Sequence, residues 1–333
     1  MKPTMLRCFP ALALLATGTA LMGCGNAHAQ GYPNRPVTVV VPAAAGGPTD
    51  TVARLISEPM SRALGQQFVV ENVGGAGGTI GVGRVAKAAG DGYTLLVWHI
   101  GQATAPALYD NIKYDVLKDF DSIGRITDVP MTIVGKKDLG PNTIAELIAW
   151  VKQKQADVTY AHAGIGSAAH LCGLMFMSAL DIKMTAVVYR GTGPAMNDLV
   201  GGQFDMMCDQ TTGTANQIKQ GTIKGYAATT KSRIPLLADL PTLDESGVKG
   251  FEVSAWHALW APKGLPKEVL DKLVPALQEA LKDPKVIDRF ASLATVPVPQ
   301  EQATPTGLKA QLESEVAKWG AVIRAAGVKA SAN

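Results

Sequence analysis

Beyond residue 29 this 333-residue chain offers few side chains from which covalent or metal chemistry could be built: His99, His162, His170 and His257, Cys172 and Cys208, and Ser167 behind a glycine turn. A serine nucleophile needs the exposed G-x-S-x-G elbow between strand and helix, and none is present. Gly164-Ile165-Gly166-Ser167 instead places its serine as a helix cap. The histidines fall in no H-E-x-x-H pattern and the cysteines have no paired spacing, so no metal is expected. Gly81-Val82-Gly83-Arg84-Val85-Ala86 fits G-x-G-x-x-A, yet it starts about ten residues after the nearest strand and lies within a helical pattern, so no nicotinamide cofactor is expected. Cys172 and Cys208 are too few for a disulfide framework. One bridge is possible, and two small buried thiols is the expected reading.

What the spacing does support is anion binding by the backbone. Val41-Pro42-Ala43-Ala44-Ala45-Gly46-Gly47-Pro48-Thr49-Asp50 and Ala161-His162-Ala163-Gly164-Ile165-Gly166-Ser167 each run from a strand through glycine into a helix. N–H groups at a helix start have no carbonyl partner within the helix, and the helix dipole adds positive potential there. One such turn is only a connection. Two of them, at the carboxyl ends of strands in two α/β sets, can face one ligand.

The elements that must position these turns follow an α/β rhythm. Val37 to Val41 is a continuous apolar strand, followed by a helix over Thr49 to Leu64, a strand at Phe68 to Val70, a helix over Ile80 to Ala88 and a strand from Tyr93 to Trp98. A second set begins near Pro130 with a strand at Met131 to Val134. Thr143-Ile144-Ala145-Glu146 then reads as a capping box. Further strands fall at Val158 to Ala161, Thr185 to Tyr189, Phe204 to Cys208 and Ile223 to Thr229, with helices from Ser167, Pro194 and Thr214. Ser254 to Ala261 reads as a return strand before helices from Pro266, Pro284 and Thr306. The expectation is two lobes, residues 30–130 plus 251–333 and residues 131–250.

Lys2 and Arg7, the apolar stretch from Ala11 through Leu21, and Ala27-His28-Ala29 before Gln30 read as a cleaved signal peptide over residues 1–29, hence export to a periplasm-like space. A competing lipoprotein site lies at Leu21-Met22-Gly23-Cys24, which would fix the chain to a membrane surface. The 31 basic side chains less Lys2 and Arg7 leave 29 against 28 acidic ones, so no electrostatic footprint for nucleic acid or an anionic membrane remains. With 47% hydrophobic and 18% charged residues the chain is globular rather than disordered. No later run reaches the length of about 18 apolar residues that a membrane span needs.

Many ordered motifs carry a family resemblance. They are Tyr32-Pro33-Asn34-Arg35-Pro36-Val37, Ala44-Ala45-Gly46-Gly47-Pro48-Thr49-Asp50, Val70-Glu71-Asn72 with Gly75 to Gly81, and Asp91-Gly92-Tyr93-Thr94-Leu95-Leu96. Gly164 to Ser167 before His170-Leu171, Tyr189-Arg190-Gly191, Pro194-Ala195, Asp198-Leu199, Gly201-Gly202, Phe204-Asp205, Trp256 and Ala261-Pro262-Lys263-Gly264 complete the series. Over residues 31 to 327 the chain resembles the Bug family, the extracytoplasmic solute receptors of tripartite tricarboxylate transporters. The resemblance implies a type II-like, two-lobed periplasmic binding protein, monomeric and without cofactor, that closes on a small organic di- or tricarboxylate. The solute would then pass to the transporter's membrane permease subunits. A secreted hydrolase and a solute-sensing module for a signalling partner are the alternatives.

The ligand-binding residues expected are Ala44, Ala45, Gly46, Gly47, Thr49 and Asp50 in the first loop and Gly164, Ile165, Gly166 and Ser167 in the second, acting partly through water. His99, Asp209 and Trp256 join them. The chain departs from the family at Trp98-His99-Ile100-Gly101-Gln102, where small residues are usual, at His257, and at Gln210-Thr211-Thr212 after Asp209. Strand alternation sends His99 into the cleft and Trp98 to the other face. With Trp256, Thr211 and Thr212, His99 would suit an aromatic or other bulky carboxylate.

Overall fold

The computed structural model describes residues 31–329, so the signal peptide, the Gln30 cleavage and the Cys24 site lie outside the described residues. Strand β1 (Val37–Val41) leads into helix α1 (Pro48–Leu64), then β2 (Phe68–Asn72), α2 (Thr79–Ala86), β3 (Thr94–His99) and α3 (Gly101–Leu108). A long strand β4 (Phe120–Lys136) follows, then α4 (Ile144–Lys154), β5 (Thr159–His162), α5 (Ala168–Leu180), β6 (Thr185–Val188), α6 (Thr192–Val200), β7 (Met206–Gln210), α7 (Thr211–Lys219) and β8 (Ile223–Ala228). Strand β9 (Ser254–Pro262) and helices α8 (Lys267–Lys282), α9 (Pro284–Ser292) and α10 (Pro305–Ala326) end the chain.

The fold is mixed α/β. In one half of the sheet β1 lies parallel between β2 and β3, while β9 runs antiparallel between β3 and the first part of β4. In the other half β5 lies parallel between β6 and β7, and the last part of β4 pairs antiparallel with both β7 and β8. Strand β4 joins the halves: Phe120 to Pro130 pair with β9, and Met131 to Lys136 pair with the second set. The change of partner falls at Pro130, which has no N–H to give a ladder. Val37, Val39, Val40 and Val41 are buried, as a parallel strand covered on both sides requires.

Several expected boundaries move. The second set does not begin with a fresh strand at Met131, because that segment continues β4. Bulges at Ser122/Gly124 and Arg125/Thr127 break the alternation over residues 120–130, which hides the strand from a periodicity argument. Pro194 is the third residue of α6 and not its first, and α7 starts at Thr211 and not at Thr214. Helix α3 was not anticipated, since Gly101, Thr104 and Pro106 are poor helix formers. The capping box at α4 is displaced by one residue: Thr143 Oγ1 accepts from the Glu146 N–H at 3.2 Å, but the Glu146 carboxylate returns to the N–H of Asn142 at 2.7 Å. Cys172 on α5 and Cys208 on β7 are both fully buried and form a disulfide, so the reading of two free thiols is replaced by the bridge.

Candidate functional site

A small cavity lies where β1, β3, β5 and β6 reach their carboxyl ends. Gly47, Thr49, His99 and Ser167 line it, so both glycine turns and the end of β3 meet there. Pro48, Trp98, Ala168, Ala169, Arg190 and Thr192 complete its functional wall.

The glycine turns work differently from expectation. Their own N–H groups are largely occupied: Gly46 donates to Asp50 Oδ2 at 3.0 Å, Gly164 to His162 Nδ1 at 3.1 Å and Gly166 to His170 Nδ1 at 3.3 Å. Ala44 donates to the carbonyl of Arg190 at 3.3 Å. The cavity is lined instead by residues of the first helical turns, Thr49 of α1 and Ala168 and Ala169 of α5, whose N–H groups have no helical carbonyl to bond. The glycines set the path of the chain, and the helix starts supply the donors. Ser167 caps α5, its Oγ accepting from the His170 N–H at 3.2 Å.

Asp50 braces the first turn and does not face a ligand with a free charge. Burial by itself would raise its carboxyl pKa, but hydrogen bonds from Arg54, the Gly46 N–H and Asn72 outweigh that and hold it below the usual range. Asp209 is the opposite case. At the end of β7 both its oxygens are buried without a well-formed hydrogen bond, and burial raises its pKa to about 7, against the pull of the Gln210 N–H and the Thr192 hydroxyl. It stands behind Thr192, outside the cavity wall.

The histidines are held neutral. His99 is 4% exposed, and burial first and His257 second push its pKa well below the ordinary value. Its Nδ1 accepts from the Gly101 N–H at 2.9 Å, which leaves the proton on Nε2. Burial lowers His257 to about 3. Its Nδ1 donates to the Ala255 carbonyl at 3.1 Å, so its Nε2 accepts from the Thr49 hydroxyl at 3.2 Å. That hydroxyl proton is spent, so Thr49 serves the cavity through its backbone. Trp98 does not go to the other face. Its ring stacks on His99 with centroids 3.8 Å apart, and both line the cavity.

Besides Asp209, three residues expected at the ligand lie off the wall. Trp256 Nε1 donates to Glu315 Oε2 at 3.1 Å beneath α10, Thr211 Oγ1 donates to the Ala294 carbonyl at 3.2 Å, and Thr212 is buried away from the wall. None of them shapes the cavity for a ring. Sequence reasoning missed Arg190 and Thr192. The available signal was a third strand-to-helix turn, β6 to α6 through Gly191, of the same kind as the other two.

The walls of the two sheet halves touch across the cavity. Tyr109 Oη, after α3, donates to the carbonyl of Ile165 at 2.6 Å, and the Ala44–Arg190 bond spans the same divide. Gly77 has φ +60°, and a Cβ there would stand 1.8 Å from the Ile165 oxygen. Only glycine permits that approach.

A family model described as the tripartite tricarboxylate transporter family receptor matches residues 52–328. A protein from Agrobacterium vitis named for its position in the TAR-I ttuE-ttuC' intergenic region is 55% identical over 316 residues, 95% of this chain and 91% of its own length. The structure of periplasmic binding protein BugD shares 51% identity with a TM-score of 0.88, covering 90% of this chain and 99% of that one. The structure of MatC from Rhodopseudomonas palustris with bound malate shares 39% identity with a TM-score of 0.85, over 88% of this chain and all of that one. These neighbours are solute-binding proteins and not enzymes.

Proposed function

The chain belongs to the tripartite tricarboxylate transporter family of receptors, and from that membership we propose that it is an exported receptor capturing a small organic dicarboxylate for a membrane permease. The observation that carries the ligand class is the cavity itself. The first residues of α1 and α5, whose N–H groups have no helical carbonyl to bond, line it beside the neutral His99, and no acidic residue lies on the wall among the described residues. Such a site favours a carboxylate over a neutral or cationic solute. The malate bound by MatC supports the same class. Each hydrogen bond to a carboxylate contributes about 1.5 to 3 kcal/mol before desolvation is subtracted, so a few of them reach about −8 kcal/mol, a micromolar dissociation constant.

The two sheet halves, residues 30–130 plus 251–333 and residues 131–250, act in this reading as lobes that hinge through β4 and the segment before β9. Calorimetry with diacids and their diamides tests the ligand class. Diamides binding as tightly as the acids would refute it. Intact mass of protein from its native host tests export: a chain starting at Gln30 is expected, and a diacylated chain starting at Cys24 would place the receptor on a membrane surface.

A further inference from the structure

Arg190 is the one charged residue lining the cavity among the described residues. Its backbone is fixed, because its carbonyl takes the Ala44 N–H and Gly191 packs against Ala44. Its guanidinium is exposed and bonds to no described residue, whereas Arg35, Arg54, Arg62, Arg84, Arg125 and Arg233 each pair with an acid. An arginine with no acid beside it, at the mouth of an anion site, is available to a ligand.

The charge around the cavity calls for more than one carboxylate. Three helices start there, α1, α5 and α6, each presenting roughly half a positive charge at its N-terminus. Arg190 adds a full charge. Asp50 is committed to Arg54, so it does not cancel this potential. His99, buried on the wall, has its Nδ1 occupied and its Nε2–H bonded to no described residue. One carboxylate would leave most of the positive potential unmatched. Two would match it.

We propose that Arg190 is the specificity-determining residue of this site: its guanidinium takes the second carboxylate of a dicarboxylate whose first sits at the starts of α1 and α5. The assignment rests on the carboxylate-receptor reading above. A planar, permanently charged fork suits a carboxylate at a solvent-exposed mouth, where a buried charge pair is not required. Exposure screens the pair, so the gain stands near the low end for charged hydrogen bonds.

The test is calorimetric titration of the full-length mature chain with linear four- to six-carbon diacids and citrate, each set against its monoamide. The wild type should bind the best diacid roughly tenfold tighter than its monoamide. Arg190→Gln should lose about that factor for the diacid and under threefold for the monoamide, and Arg190→Lys should recover part of it. Thermal unfolding of the ligand-free variants should match the wild type, since the side chain is exposed and unbonded. If Arg190→Gln does not fold, the wild-type ratio and Arg190→Lys still decide. A wild type that binds monoamide and diacid alike, or a glutamine variant that keeps the preference, overturns the role of Arg190 and leaves the carboxylate receptor standing. Should none of these acids bind the wild type, the receptor reading itself fails and the assignment falls with it.

Discussion

Buried ionisable groups give this protein an opposed pH response. His257, His170, His162 and His99 all have pKa values lowered by burial, to about 3 for His257 and about 4 for His170. The unfolded chain takes up protons near pH 6.5 that the folded chain refuses, so their contribution is full above that pH and is lost as pH falls toward the folded values. Asp209 works the other way: its contribution is full below about 3.8 and is lost as pH rises toward about 7. Each group changes stability by at most about 1.4 kcal/mol per pH unit, so between pH 6.5 and 4 four histidines outweigh one aspartate. Urea midpoints should therefore fall from pH 7 to pH 5, less steeply in His257→Gln and more steeply in Asp209→Asn. For His99→Ala we expect a loss of both stability and affinity, each about 1 to 3 kcal/mol, because the Gly101 N–H and the Trp98 ring lose a partner along with the ligand. Unchanged denaturation with weakened binding would assign His99 to the ligand alone. The place of His99 was legible because a strand end at a cleft is a fixed position. Arg190 was not, since attention to backbone donors made a side-chain clamp unnecessary. Trp98 was misplaced because alternation gives the period of a strand without saying where a ring at its end comes to rest.

The elements were legible where apolar runs are unbroken. Strands β1, β5, β8 and β9 and helices α1, α5 and α9 lie within a residue or two of their expected positions. They failed where local signals conflict, as in α3 with its glycine and proline, and in the bulged first part of β4. The disulfide was undecidable, since two cysteines 36 residues apart carry no geometric information until α5 packs on β7. Closing a loop of that length restricts the unfolded chain by about 3 to 4 kcal/mol. Reduction, or Cys172→Ala with Cys208→Ala, should lower stability by about that amount in chemical denaturation. Because the bridge ties the helix that presents Ala168 and Ala169, ligand affinity should fall as well.

At the scale of the whole molecule, β4 is the strand shared by the two sheet halves, one buried core runs from Val40 and Leu96 in the first to Tyr160 and Met206 in the second, and loop contacts such as Tyr109–Ile165 add to what fixes their spacing. Gly77→Ala is the sharpest probe of that spacing. A methyl group there clashes with the Ile165 carbonyl in the arrangement described, and φ +60° adds strain of about 1 kcal/mol. The variant should scatter with a larger radius of gyration at saturating ligand than the wild type, and bind more weakly, while keeping its secondary structure. An unchanged radius would mean that the halves do not move apart as bodies. The Tyr109–Ile165 and Ala44–Arg190 bonds join the two sheet halves beside the cavity. If the proposed receptor holds its solute there, the dwell time should follow the lifetime of the protein's own bonds as well as the strength of the solute's contacts. Loading and unloading would then run on separate clocks, and the proposed membrane partner, by prying these two bonds apart, would discharge the receptor without competing for the solute.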